Sequence, residues 1–168
     1  PKPSSAASDV YKRQIVDNSF LSTEIKFPNT KNFIFLCVSR LDKIKNIDLI
    51  IESFKKFNIK YPDSELRIVG VGSELQNLKN LTKAIQINKK VKFLGKKSRS
   101  DIINEYNSCN SFIYASSFET FGVVFVEAMA LGRPIISLNC GSSDEIISAE
   151  TGIIVKNKKS EDMSSAMI

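Results

Sequence analysis

The 168-residue sequence contains no histidine, only three cysteines and no long apolar run. Without histidine, this segment supplies neither an imidazole base nor a histidine ligand to a metal. Cys37, Cys109 and Cys140 lie far apart and form no CxxC pair, which argues against a zinc site or a disulfide framework and is typical of a reducing cytoplasm. No apolar stretch approaches the roughly 20 residues that a membrane-spanning helix needs. The sequence therefore predicts a globular protein of cytoplasmic location.

The positive charge is scattered along the chain. The formal net charge is +6, and charged residues make up 25% of the sequence against 42% hydrophobic residues. The lysines form short pairs, such as residues 96–97, rather than a long block. We interpret them as solvated surface charges and predict no nucleic-acid partner, although phosphorylated ligands or anionic lipid remain open.

The beginning of the chain differs from the rest. Residues 4–14 (SSAASDVYKRQ) resemble the translated end of a transposase sequencing adapter. Residues 1–14 are therefore predicted to be a disordered leader that takes no part in the fold. We also expect the natural upstream sequence to be missing and the other end, at residues 167–168, to be cut within a helix.

After the leader, strand-like and helix-like patterns alternate. Six apolar runs are predicted to be strands: residues 33–39, 65–71, 91–94, 111–115, 134–138 and 152–155. Apolar residues recur at helical spacing between them, and Asn46 is predicted to cap the first of these helices. Such alternation predicts an α/β fold with a Rossmann-like, doubly wound parallel sheet of about six strands. Ligands of these sheets bind beyond the carboxyl ends of the strands.

Two motifs follow the first two predicted strands. Residues 39–46 (SRLDKIKN) place Arg40 and Lys45 before a helix, where two cations could hold a diphosphate. A solvated basic turn fits their charge and position equally well. Residues 69–73 (VGVGS) resemble a GxG dinucleotide turn, but Leu75 occupies the position of the third glycine. A tight strand-to-helix turn is the better interpretation of this second motif.

The most specific motif follows the fourth predicted strand. Residues 118–130 (FETFGVVFVEAMA) place Glu119 and Glu127 eight positions apart, with Glu127 as the one acid of an apolar helix. A buried carboxylate is costly without partners, and ribose hydroxyls could supply them. Glu119 could accept hydrogen bonds from a sugar, and amides near Gly122 could face a phosphate. The sequence fits two other interpretations equally well. Glu127 would then lie on a solvent-exposed edge of its helix, and Glu119 would be an ordinary acid of an exposed loop.

Six sequence blocks together resemble the group 1 (family 4) glycosyltransferases in order and spacing. They are SRLDKIKN, LRIVGVGSE, VKFLG, ETFGVVFVEAMALGRPII, GSSDEI and TGIIV, and they cover about residues 33–156. The resemblance implies one lobe of a two-lobed, GT-B type enzyme, namely the carboxy-terminal lobe that binds the nucleotide-sugar donor. It also implies that residues 15–32 connect the lobes and that residues 33–168 form this lobe.

The resemblance further implies roles for individual residues. Arg40 and Lys45 would bind the donor diphosphate and stabilise the leaving charge. Glu119 would contact the transferred sugar, and Glu127 would bind the ribose. The other implied donor-binding residues are Gly70, Phe93, Leu94, Phe121, Gly122, Val123 and Val124. The chain departs from the family at Ser142, where a second glycine is frequent, and at Arg133, where a small or varied residue is usual.

The implied reaction is transfer of a sugar, with retention of anomeric configuration, from a nucleotide sugar to a lipid, polysaccharide or protein. The resemblance implies no cofactor and no obligatory metal ion. Contact with the cytoplasmic face of a membrane, if present, would come through the amino-terminal lobe, and this lobe alone would be nearly inactive.

Three other classes share parts of this pattern. Nucleotide-sugar epimerases have a similar two-lobed fold, but many of them use histidine. A non-catalytic nucleotide-binding module would keep the donor site without the chemistry, and upstream sequence would separate it from a transferase. A dehydrogenase that uses NAD needs a GxGxxG motif after the first strand, and residues 39–46 are not one.

Overall fold

The structure, a computed structural model, describes residues 18–28 and 31–168, so the predicted leader lies outside the described residues. The strands are β1 (Phe33–Val38), β2 (Ser64–Val69), β3 (Val91–Gly95), β4 (Ser111–Tyr114), β5 (Ile135–Leu138) and β6 (Gly152–Val155). The helices are α1 (Asn18–Leu21), α2 (Ile47–Lys60), α3 (Leu75–Ala84), α4 (Arg99–Ser108), α5 (Val123–Ala130), α6 (Ser143–Ile146) and α7 (Ser160–Ala166), and a 3-10 helix covers Lys43–Lys45. No helix in this described part of the chain has the length and apolar character needed to cross a bilayer.

The six strands form one parallel sheet in the order β3-β2-β1-β4-β5-β6. This order confirms the predicted doubly wound, Rossmann-like sheet. The chain builds outward from β1 through β2 to β3 and then returns to place β4 on the other side of β1, with Phe35 opposite Ser111. Loops that leave β1 and β4 therefore diverge from one crevice, which is where sheets of this kind bind ligands.

The apolar run of β1 serves both faces of the sheet because successive strand side chains point in opposite directions. Phe35 and Cys37 belong to the core beneath α2, whereas Ile34 and Leu36 belong to the core beneath α4 and α5. All four side chains are almost completely buried. The strand is therefore buried on both faces, which explains why its apolar run is continuous.

Two helix predictions need correction. The helix expected from residue 120 begins only at Val123, because Gly122 has a left-handed φ of 58° that ends the preceding loop. Asn46 was predicted to cap α2, but its own backbone is left-handed and its side chain makes no cap. Instead its Nδ2 atom donates to the Ala115 carbonyl and to Ser117 Oγ, both at 2.7 Å. Asn46 therefore joins the loop after β1 to the loop after β4.

The loops after β1 and β2 lie in direct backbone contact. The amides of Ser39 and Leu41 donate to the carbonyls of Val69 and Val71, each at 3.0 Å. Gly70 has a φ of 138°, and a Cβ atom there would stand 1.8 Å from the Ser39 carbonyl oxygen. The glycines of the VGVGS motif thus permit two loops to touch, which agrees with the interpretation as a tight turn.

A buried arginine fixes the amino-terminal segment to the sheet. Arg133 is only 3% exposed, and its guanidinium donates to the carbonyls of Leu131 at 2.7 Å, Cys109 at 2.9 Å and Lys26 at 2.5 Å. Buried charge is costly unless it is hydrogen-bonded, and these carbonyls satisfy it. This position, unusual for the resembled family, therefore has a structural role here.

The contact at Gly70 can be tested by comparing Gly70→Ala with Gly95→Ala. Both glycines have positive φ, but a Cβ at Gly95 would meet no atom within 4 Å. Gly95→Ala should therefore lower the free energy of unfolding by about 1 to 2 kcal/mol, the cost of a left-handed alanine. Gly70→Ala should lower it by about 3 kcal/mol or more, since the clash adds to the strain. Urea denaturation measures both, and equal losses would contradict the close approach.

Candidate functional site

Three side chains meet at the carboxyl ends of β1 and β4. Lys45 ends the 3-10 helix after β1, Tyr114 is the last residue of β4, and Glu119 lies in the loop that follows. The Lys45 ammonium donates to the Tyr114 hydroxyl at 2.9 Å and to Glu119 Oε2 at 3.1 Å. The Tyr114 hydroxyl donates to the same Glu119 oxygen at 2.6 Å. We call these three residues the Lys45–Glu119 cluster.

The cluster keeps a cation and an anion side by side. Burial acts to raise the pKa of Glu119, but the hydrogen bonds from Tyr114 and Lys45 outweigh it, so this pKa is lowered. Burial and the neighbouring Glu119 raise the pKa of Tyr114, which stays protonated as a donor. Because the pKa of Glu119 is lowered, the ion pair stabilises the fold above the ordinary carboxyl pKa and is lost only as the pH falls through the lowered value.

The cluster is partly exposed, so a ligand can reach it. The side chains of Lys45 and Glu119 are 19% and 21% exposed. An ammonium has three N–H donors, and two of those of Lys45 are used within the cluster. The arrangement can therefore donate to an anionic oxygen and accept from a hydroxyl within a few ångströms. Among residues 18–28 and 31–168, no three acidic or cysteine side chains group to hold a metal ion.

The loop after β5 packs against the backbone of Glu119. A Cβ atom at Gly141 would lie 2.3 Å from the Glu119 carbonyl oxygen, and the Ser142 amide donates to that oxygen at 3.4 Å. The Gly122 amide also helps to lower the pKa of the Glu119 carboxyl through a hydrogen bond. The Ser142 hydroxyl oxygen is buried and has no hydrogen-bond partner among the described residues. Two loops and a helix start thus fix Glu119 in place.

A pocket of about 430 Å³ opens over the ends of β1, β2 and β3. This volume falls in the range of about 300–1,000 Å³ that small-molecule sites occupy. Its lining combines apolar side chains, Gly70 and three cations. The apolar side chains are Val38, Val69, Val71, Ile102 and Val124, and the cations are Arg40, Lys96 and Lys97. The structure thus brings the predicted residues Arg40, Gly70 and Val124 together.

Arg40 and Lys45, the two predicted phosphate ligands, have different environments. Arg40 lines the pocket, its side chain is 80% exposed, and it pairs with Asp42 at 2.8 Å. Exposed ion pairs contribute little to stability, so a ligand can compete for this guanidinium. Lys45 is held within the cluster instead. The structure therefore places one cation at the pocket and the other beside Glu119.

Glu127 is buried, as the sequence argument required, but it has partners inside the protein. It is 5% exposed, with Arg99 Nη1 at 3.4 Å and the Tyr106 hydroxyl at 3.5 Å from its carboxylate oxygens. Side chains of the protein therefore already supply partners to this carboxylate, which the sequence argument had expected from ribose hydroxyls. Glu127 lies one helical turn beyond Val124, which lines the pocket. Its binding of ribose stays a prediction.

The remaining predicted donor-binding residues are not part of the lining of this pocket. Phe93 packs against the core beneath α2, and Leu94 packs against the core beneath α4 and α5. Phe121 is 68% exposed, and Gly122 and Val123 begin α5. Their contacts with a donor stay predictions.

Sequence reasoning missed three residues of this region. Tyr114 was treated only as part of an apolar predicted strand. Its hydroxyl at the carboxyl end of that strand could have marked it as a candidate site residue. Lys96 and Lys97 were interpreted as a solvated pair, and only the structure shows them in the lining of the pocket. No spacing rule relates them to Arg40, because the two loops follow different strands.

Comparison with curated proteins identifies transferases. The chain is 43% identical over 61 residues to the capsular polysaccharide biosynthesis glycosyltransferase CapM of Staphylococcus aureus, covering 36% of this chain and 16% of CapM. It is 35% identical over 154 residues to the probable sucrose-phosphate synthase of Thermosipho melanesiensis, covering 83% of this chain and 36% of that protein. The chain thus spans well under half the length of these relatives.

Solved structures share the fold. The apo form of the lipopolysaccharide outer core galactosyltransferase WaaB matches with a TM-score of 0.75 and 22% identity, over 87% of this chain and 42% of that one. The pneumococcal O-GlcNAc transferase GtfA, solved with UDP and GlcNAc, matches with a TM-score of 0.73 and 23% identity, over 85% of this chain and 29% of that one. The described sheet therefore has the α/β, Rossmann-like fold found in these GT-B glycosyltransferase structures.

A family model agrees with both comparisons and covers nearly the whole fold. The model described as glycosyl transferases group 1 matches residues 21–168, from the end of α1 through α7. This range contains the Lys45–Glu119 cluster, the pocket and every strand of the described sheet. The chain belongs to the group 1 glycosyl transferases.

Proposed function

We propose that this chain is the donor-binding lobe of a retaining glycosyltransferase that moves a sugar from a nucleotide-diphosphate sugar to an acceptor. The observation that carries the proposal is the Lys45–Glu119 cluster, which lies at the carboxyl ends of β1 and β4, where the strand order reverses. The loop after β1 that supplies Lys45 also supplies Arg40 to the cation-lined pocket. The GtfA structure named above contains UDP and GlcNAc, which supports a donor of this chemical class.

The cluster would hold the sugar and the departing phosphate. Glu119, ionised and fixed by Tyr114, accepts hydrogen bonds from hydroxyls of the transferred sugar. Lys45 donates to the diphosphate and stabilises the negative charge that develops as the bond to the sugar breaks. Preorganised charges of this kind stabilise a transition state without reorganisation during the reaction. The proposal needs no metal ion or cofactor.

The pocket would hold the rest of the donor. The exposed Arg40 exchanges its partner Asp42 for a phosphate oxygen, since a charge-assisted bond to phosphate is a strong contact. The amide groups at the start of α5 lie at the positive end of that helix and favour the same anion. Glu127, one turn beyond Val124, binds the ribose by moving away from its present partner Arg99.

The acceptor and the second lobe complete the proposed enzyme. Retention of configuration, a lipid, polysaccharide or protein acceptor, and any membrane contact are properties of the full-length protein. Proton NMR of the anomeric position in donor and product tests retention directly. An interconverted nucleotide sugar without transfer would instead favour an epimerase, and donor binding without either reaction would favour a non-catalytic module.

Lys45 is tested with Lys45→Met in the full-length protein. The change removes the ammonium but keeps the length of the side chain, so we expect transfer to fall roughly 100-fold because the leaving charge loses its donor. Transfer rates with a radiolabelled nucleotide sugar measure the loss. Lys43→Met, an exposed lysine of the same 3-10 helix, is the matched control and should keep the wild-type rate. A Lys45→Met enzyme that is as active as the control would refute this role.

Glu119 is tested with Glu119→Gln, which keeps the shape and removes the charge. We expect transfer to fall roughly 100-fold, since a neutral amide cannot pair with Lys45 or accept as strongly from the sugar. Affinity for the free nucleoside diphosphate should change less than about threefold, because the sugar alone loses a contact. Calorimetric titration and transfer assays separate the two effects.

The control for this second test is Glu145→Gln, an exposed acid of α6. It should leave both the transfer rate and the nucleotide affinity unchanged. A Glu119→Gln protein that loses nucleotide affinity and transfer in equal measure would contradict the placement of Glu119 at the sugar.

A further inference from the structure

The hydroxyl of Tyr114 is bonded to both charged groups of the Lys45–Glu119 cluster. It donates its one proton to Glu119 Oε2 at 2.6 Å and accepts from the Lys45 ammonium at 2.9 Å. The ammonium also donates to the same Oε2 atom, at 3.1 Å. The hydroxyl oxygen, the ammonium nitrogen and Oε2 therefore form a closed triangle of hydrogen bonds, with a neutral residue at one corner.

The ring of Tyr114 is the rigid part of this triangle. Tyr114 is the last residue of β4 and is only 2% exposed. Its ring meets the ring of Phe125 edge to face, with 5.3 Å between centroids, and stacks with Phe112 at 6.0 Å. Lys45 and Glu119 instead reach the cluster on flexible side chains from a 3-10 helix and a loop. The fixed tyrosine therefore orients the other two residues.

The bonds in the triangle also decide which polar atoms stay available. An ammonium has three N–H donors in a tetrahedral arrangement, so directing two of them to Tyr114 and Glu119 fixes the direction of the third. Tyr114 and Lys45 both donate to Oε2, and neither donates to Oε1 of Glu119. One N–H of Lys45 thus remains for an anionic oxygen, and Oε1 remains for a hydroxyl.

Removing the hydroxyl would end this division. Without an acceptor at Tyr114, the Lys45 ammonium can turn toward Glu119 and pair with both carboxylate oxygens. Oε1 would then be occupied by the lysine, and the remaining N–H would have no fixed direction. Small errors in the position of a reacting group cost large factors in rate, so the transfer step would lose more than binding does.

The hydroxyl also influences the charge of Glu119. Burial acts to raise the pKa of Glu119, and the hydrogen bonds from Tyr114 and Lys45 lower it, with help from the Gly122 amide. The Cys140 thiol faces the same carboxylate, and burial together with Glu119 raises the pKa of this thiol, so it stays neutral. Loss of the Tyr114 hydroxyl should therefore raise the pKa of Glu119, which would take up its proton at a higher pH.

We propose that Tyr114 is a positioning residue for sugar transfer, whose hydroxyl directs the free N–H of Lys45 to the donor phosphate and the free oxygen of Glu119 to the transferred sugar. This inference rests on the proposed function and adds the residue on which its two charged groups depend. Tyr114 acts through these two side chains and touches neither sugar nor phosphate itself.

The test is Tyr114→Phe in the full-length protein, since phenylalanine keeps the buried ring and removes only the hydroxyl. We expect kcat for transfer to fall roughly 10-fold or more, the effect of one hydrogen bond to a charged group. Affinity for UDP, GDP or ADP, whichever the wild-type protein binds most tightly, should change less than about threefold. The acidic limb of the pH profile of kcat should move to higher pH. Tyr61→Phe, at an exposed tyrosine after α2, is the control and should match the wild type.

A double-variant cycle separates positioning from packing. If Tyr114 acts through Glu119, Tyr114→Phe combined with Glu119→Gln should lose much less than the product of the two separate losses. The inference is overturned, with the proposed function intact, by any of three results for Tyr114→Phe: a wild-type rate and pH profile, equal losses of transfer and nucleotide affinity, or a fully multiplicative cycle. A wild-type protein that transfers no sugar would overturn the proposed function as well.

Discussion

The contact between the loops that follow β1 and β4 is the constraint on which the site depends. Strand order reverses between these strands, so their loops diverge from one crevice and would separate without cross-links. Asn46 supplies one link through its amide to Ala115 and Ser117, and Lys45 supplies another through Glu119. These links are far apart in sequence and only tertiary packing brings them together. Glu119 therefore has a fixed position relative to the cations of the β1 loop.

Pairing of charges decides which side chains can take part in chemistry. Lys97 and Arg67 are held by Glu105 and Glu65 in a network that braces β2 and β3 against α4. Glu127 is likewise held inside by Arg99 and Tyr106. Ligand binding at a paired group must replace a partner, whereas binding at an unpaired group only removes water. The ion pairs that brace β2 and β3 therefore support the site, whereas the partly exposed charged groups of the loops after β1 and β4 are the ones that we propose contact the ligand.

The sequence predicted the strands well and the helix starts less well. Apolar runs such as residues 33–39 are governed by burial on two faces, a local property that a sequence shows directly. The start of α5 depended on the left-handed backbone of Gly122, and the side chain of Asn46 went to another loop instead of to its own helix. Tyr114 was missed because its partners Lys45 and Glu119 come from loops, and Lys96 was interpreted as solvated because only the folded sheet brings it to the pocket.

By itself, the sequence determined the alternating elements, the parallel sheet and the acidic motif of residues 119–127. The reason is that the spacing of apolar residues along the chain indicates which segments form helices and strands and which faces are buried. Only the tertiary structure decided the partners of the charged groups. In the folded protein, Lys45 pairs with Glu119, Glu127 pairs with Arg99, and Lys96 lines the pocket. The reason is that the nitrogen and oxygen atoms of an ion pair must come within about 4 Å of each other. Loops that follow different strands reach that distance only once the strands have paired in the sheet.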